Sequence, residues 1–69
     1  MSAVPKTILL PGVGEYHGFL VNDMRHGVGR LEFEDGELYE GEWFEDKMQG
    51  RGVYFYNDGG KYEGQWLDD

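Results

Sequence analysis

Two histidines, His17 and His26, stand among fourteen carboxylates in this 69-residue chain, and these are the residue types from which a metal site or an acid–base pair is built. A metal site needs several ligands converging at fixed spacing. Cysteine is absent and no calcium-loop pattern occurs. Both histidines are therefore expected to be ordinary surface residues, His17 beside Arg30 on a polar face and His26 in a loop, with no metal bound. Glu15, Glu32, Glu37, Glu40 and Glu42 offer carboxylates in number, but acid–base work needs a pocket that drives two pKa values apart. Ser2 is the sole serine, so nucleophilic catalysis lacks its usual agent. Gly12-Val13-Gly14 with Gly18, after Ile8-Leu9-Leu10, has a faint look of a dinucleotide loop. That fingerprint requires a helix inside a βαβ unit, and a strand pattern follows instead. Turn glycine is the simpler reading. No catalytic residue and no cofactor is expected, and the chain reads as a non-enzyme.

Charge narrows the partners. The net charge is −8, and Glu32 to Asp46 hold eight carboxylates without a lysine or arginine. Phosphate backbones and anionic membranes both recruit basic patches, so nucleic acid is excluded as a partner and membrane lipid is disfavoured. The apolar-leaning stretch Thr7–Pro11 is shorter than a signal-peptide core. Ser2 rather than glycine follows the first methionine, so the myristoylation pattern fails. An intracellular, cytoplasmic location is the expectation. A chain of this length lies near the lower limit for independent folding, and without disulfides an external surface is the natural source of further stability. The chain is expected to have protein neighbours.

The elements that position these residues follow from an internal period. Tyr16, Tyr39 and Tyr62 are spaced by 23 residues, as are Gly18, Gly41 and Gly64. Gly27 with Gly50, Gly29 with Gly52, Asp35-Gly36 with Asp58-Gly59, and Asp23 with Asp46 keep the same offset. Each unit contains two segments with period-two patterning, the mark of strands. Strands are expected at 14–21, 27–34, 37–44, 50–57 and 60–67, with a possible extra strand at 6–10. Short links make them an antiparallel meander.

Register is also open to argument. A three-residue loop with left-handed Gly36 pairs Leu31 with Tyr39 and Gly29 with Gly41. The same loop at Asn57-Asp58-Gly59 pairs Tyr54 with Tyr62, Gly52 with Gly64 and Gly50 with Trp66. Three rows then cross one face: Tyr16, Leu31, Tyr39, Tyr54, Tyr62; Gly18, Gly29, Gly41, Gly52, Gly64; and Leu20, Gly27, Trp43, Gly50, Trp66. Aromatic residues leaning over a glycine row compensate its missing side chains, and the row forms a shallow channel that a partner can approach. On the other face Arg30 falls beside Glu40 and Arg51 beside Glu42. Phe19, Val21, Phe44, Phe55 and Leu67 form a second, weaker contact surface there.

Tyr39-Glu40-Gly41-Glu42-Trp43, Gly50-Arg51-Gly52-Val53-Tyr54 and Asp58-Gly59-Gly60-Lys61-Tyr62 together resemble the MORN (membrane occupation and recognition nexus) repeat, from Gly14 to Trp66. Asp23 and Asp46 stand where the family usually has glycine, Met48 and Gln49 replace its loop residues, and Leu20 takes a tryptophan position. The resemblance implies an all-β fold, an elongated single-layer antiparallel β-meander of hairpin repeats. An N-terminal arm at 1–13 precedes repeats at 14–36 and 37–59 and the opening strand of a third at 60–69. It implies a non-catalytic protein-interaction or scaffold module, an adaptor subunit of a cytoskeletal assembly such as a ciliary or flagellar axoneme. A membrane-tethering module and a regulatory piece of a larger enzyme are the alternatives. Candidate partner-binding residues are Tyr16, Leu31, Phe33, Tyr39, Trp43, Tyr54, Tyr56, Tyr62 and Trp66, flanking the groove glycines Gly18, Gly29, Gly41, Gly52 and Gly64. Self-association through a sheet edge is a further expectation.

Overall fold

A computed structural model describes residues 4–67. Six strands form one open antiparallel sheet in chain order: β1 (Lys6–Leu10), β2 (Gly14–Val21), β3 (Met24–Phe33), β4 (Leu38–Phe44), β5 (Lys47–Phe55) and β6 (Lys61–Trp66). The extra strand at 6–10 is present and pairs with β2, which makes β1 the outer edge rather than 14–21. β3 and β5 each begin three residues earlier than the expected 27 and 50, so His26 lies in β3 and not in a loop.

Two kinds of turn set the register. Phe33 N–H donates to Glu37 O and Gly36 N–H to Phe33 O, closing a three-residue loop with Gly36 at φ 98°. Tyr56, Gly59 and Gly60 repeat it, with Gly59 at φ 93°. Asp35 and Asp58 each accept the backbone N–H two residues on, which explains an aspartate before each turn glycine. The β2–β3 and β4–β5 hairpins turn through Asn22-Asp23 and Glu45-Asp46, all four residues at positive φ. Two left-handed residues in sequence match the twist of a tight hairpin.

The first two expected rows are present: Tyr16–Leu31–Tyr39–Tyr54–Tyr62 and Gly18–Gly29–Gly41–Gly52–Gly64. The third is not continuous. Gly27 pairs with Trp43 and Gly50 with Trp66, but Leu20 lies opposite Arg25 and Trp43 opposite Met48. Bulges between Gly18 and Leu20 and between Gly41 and Trp43 shift the ladder. Gly27 (φ 79°) and Gly50 (φ 84°) sit on the opposing strands in the left-handed conformation that such a bulge demands. The tight turns and the flat glycine row can then coexist.

The core is one-sided. Tyr16, Leu31, Tyr39 and Trp43 are buried, with Ile8, Leu10, Leu20, Phe33, Met48, Tyr54 and Trp66 packed around them.

Candidate functional site

The aromatic face is built from a repeated tyrosine–tryptophan unit. Period-two patterning puts Tyr39 and Trp43 on the same side of β4, and their rings meet edge to face at 5.1 Å. Tyr16 meets Trp43 at 5.6 Å, Tyr39 meets Trp66 at 5.4 Å and Tyr62 meets Trp66 at 5.1 Å, all close to perpendicular. The five rings run as an alternating chain along the sheet, in a geometry that aromatic quadrupoles favour. Trp43 Nε1 donates to Gly29 O and Trp66 Nε1 to Gly52 O.

The glycine row lies beneath the tyrosines. A Cβ on Gly29 would meet the ring and hydroxyl of Tyr16, and one on Gly52 those of Tyr39. Each hydroxyl continues past the glycine to a carbonyl three residues along its own strand: Tyr16 to Phe19 O, Tyr39 to Glu42 O, Tyr62 to Gln65 O. Phe19 and Glu42 are the residues at the bulges, where the ladder loses a partner. The tyrosine supplies it. The expected channel is thus filled from within, and Gly18, Gly29 and Gly52 are buried rather than open to a partner. Tyr16, Leu31, Tyr39 and Trp43 are likewise buried.

What remains accessible is concentrated near β6. Tyr62 and Tyr56 are each 43% exposed, against 0% for Tyr39 one repeat earlier. Phe33, Tyr54 and Trp66 are half-buried beside them, and Tyr54 stacks against Phe33, Tyr56 and Trp66 at 5.7, 4.9 and 5.9 Å. Tyr54 donates to Glu37 Oε1. Burial, and then the adjoining Glu37 carboxylate, push its pKa up to about 12. Burial also raises the Tyr16 phenol, against the opposing influence of Arg25.

Arg25, half-buried, lies 4.6 Å over the Trp43 ring. Its Nε donates to Asp46 Oδ1 at 2.6 Å and its Nη2 to Asp46 O, while Asp46 N–H donates to Arg25 O. The hydrogen bonds from Arg25 hold the Asp46 carboxyl below the usual range. This clasp ties the β4–β5 turn to the start of β3, and it gives Asp46 a task that glycine there would not perform.

On the opposite face Arg30 is level with Glu40, as expected, but its guanidinium pairs with Glu32 at 3.3 Å. Glu42 turns to accept the backbone N–H of Arg51 at 2.7 Å, because the bulge carries its carboxylate over that strand. An open depression of ≈ 390 Å³ gathers Lys6, Thr7, His17, Arg30 and Glu40 around Phe19 and Val28. His17 lies level with Arg30 and also beside Glu15 and Glu32, a grouping absent from the sequence reading. The signal was present in the spacing of Glu15 and His17, once Glu32 is set opposite Glu15. Val21, Phe44, Phe55 and Leu67 are exposed.

The MORN repeat profile matches residues 16–37, 39–61 and 62–69, so the matches begin at the three tyrosines that head the aromatic units. The chain belongs to the MORN repeat family. Its matches start two residues after the repeat starts expected at 14, 37 and 60. MORN repeats are commonly modules for interaction with proteins or membranes, and the family is in general non-catalytic. No curated protein matches the chain.

Proposed function

We propose that this MORN protein is a small structural or adaptor subunit that docks on a protein partner within an intracellular assembly of cytoskeletal type, such as an axoneme. One observation carries the reading: Tyr56 and Tyr62 lie on the aromatic face of the sheet and are each 43% exposed. With Tyr54 and Trp66 they form a continuous aromatic patch. Tyrosine and tryptophan in such a setting are the usual anchors of protein interfaces.

The backbone of β6 beside the patch adds a second means of attachment. Tyr56 N–H donates to Gly60 O, and hydrogen-bonded pairs alternate along antiparallel strands. Lys61, Glu63 and Gln65 therefore turn their N–H groups away from β5, toward any strand that joins from outside. The net charge of −8 favours a protein surface over an anionic bilayer.

The test is capture of proteins from purified axonemes and from a cytosolic cytoskeletal fraction, using the wild-type chain and a Tyr56→Ser, Tyr62→Ser double variant. Both positions are exposed, so the variant should keep its fold, which circular dichroism checks. Cytoskeletal proteins retained by the wild type and lost from the variant are the expected result. Equal retention by both would remove the patch from the reading. Co-sedimentation with anionic vesicles would replace it by membrane tethering.

A further inference from the structure

Glu15 and His17 stand two residues apart on β2 and so project from the same face of the sheet. Glu32 on β3 pairs with Glu15 and completes a triangle. His17 Nε2 lies 3.2 Å from Glu15 Oε1 and 3.6 Å from Glu32 Oε1. One ligand atom from each of the three residues lies within 4.8 Å of the other two.

Three further observations distinguish this from a meeting of surface charges. His17 Nδ1 is 3.0 Å from the Thr7 hydroxyl on β1. With Nδ1–H donating to that oxygen, the neutral ring leaves a bare Nε2 lone pair beside the two carboxylates. Nε2 is shielded from solvent and makes no hydrogen bond, although Glu15 Oε1 is 3.2 Å away and Glu32 Oε1 3.6 Å. Three electron-rich atoms facing one another repel unless a cation stands among them. Finally, Glu32 Oε2 is held by Arg30 Nη2 at 3.3 Å, which leaves Oε1 turned toward His17. A fixed imidazole and an anchored carboxylate are how outer contacts orient metal ligands.

We propose that Glu15, His17 and Glu32 bind a divalent transition ion of the zinc class. Ligand atoms about 2.0–2.15 Å from a tetrahedral ion stand about 3.3–3.5 Å from one another, and the two nitrogen–oxygen separations, 3.2 and 3.6 Å, bracket that edge. One imidazole with two carboxylates suits zinc better than magnesium or calcium, which take oxygen ligands in larger number. Three protein ligands leave a fourth position to water. The ion would cross-link β2 to β3, with β1 holding the imidazole from outside.

Titration of zinc chloride into the full chain, followed by calorimetry and thermal melting, tests the site. One ion per chain and a rise in melting temperature are expected. His17→Gln should abolish both effects, Thr7→Val should weaken binding by roughly 10–100-fold, and His26→Gln should change neither. Imidazole nitrogen NMR of the wild-type chain needs no substitution: zinc should shift His17 Nε2 while Nδ1 keeps its proton. No saturable binding, binding that survives in His17→Gln, a shift at His26 instead, or equal binding of magnesium would each overturn the proposal. So would an Nε2 that stays protonated at saturating zinc, because a proton would then be the cation between the carboxylates.

Discussion

The hydroxyls of Tyr16 and Tyr39 each reach a carbonyl at the point where the ladder steps out of register, so ring and hydroxyl have separate tasks at this position. Tyr39→Phe keeps the ring contacts and removes the donor from a part-buried carbonyl. A loss of about 1–2 kcal/mol is expected, read from the urea midpoint; an unchanged midpoint would show that water replaces the hydroxyl. Gly52→Ala attacks the same unit from below, since the new methyl would meet the Tyr39 ring and hydroxyl. The ring is buried and has no free direction, so at least about 1–3 kcal/mol should be lost. Tyr54 makes a prediction about pH. Its pKa is pushed up to about 12 in the folded chain, so the folded state holds the phenolic proton longer than the unfolded state does. The associated stability is present below about pH 10, the ordinary tyrosine value, and is lost as pH rises through the folded value. Melting temperatures between pH 9 and 12 should fall, and less steeply in Tyr54→Phe. An identical slope in that variant would place the effect elsewhere, with Tyr16 the next candidate.

Among the elements, the tight turns are where sequence and backbone disagree. Glu45 holds φ 48°, a conformation that costs non-glycine residues roughly 1–2 kcal/mol. Asparagine tolerates it better, so Glu45→Asn should raise stability by about 0.5–1 kcal/mol, part of that strain, as thermal unfolding would record. Asp46→Gly should not behave likewise, because it removes the Arg25 clasp along with the strain. The same turns explain what was legible beforehand. Leu31 opposite Tyr39 and Gly29 opposite Gly41 could be read because both faces of the sheet demand that register. The break in the third row could not. Gly27 and Gly50 look like any other glycine of the pattern, and nothing in residue type separates an extended glycine from a left-handed one. The early start of β3 and the strand placement of His26 follow from the first bulge, and the early start of β5 and the turning of Glu42 from the second. Period two places tyrosine and glycine on one face without saying which way a ring leans, so sequence alone suggests an open channel where the tyrosines in fact cover the glycines. The triangle of Glu15, His17 and Glu32 is hidden for a different reason: pairing Tyr16 with Leu31 sets Glu15 opposite Glu32, but residue type does not tell which way the three side chains lean.

For the molecule as a whole, repeated residues should differ in importance according to place. Tyr39→Ser empties a buried site and should cost roughly 3–5 kcal/mol, as for other large aromatic deletions in cores. Tyr62→Ser removes the same side chain from a position 43% exposed and should cost about 1 kcal/mol or less. Equal losses, measured by denaturant unfolding, would mean that β6 is covered in solution. Among the described residues every strand pairs with its chain neighbours alone, and these residues extend over 40 × 25 × 17 Å. Contacts this near in sequence close small loops, which favours rapid assembly from any hairpin outward. Growth is equally undemanding: another 23-residue unit, added after Trp66, would need to recognise one strand and would disturb no pairing already made. Length in such a protein is therefore an adjustable quantity, set by duplication rather than by redesign.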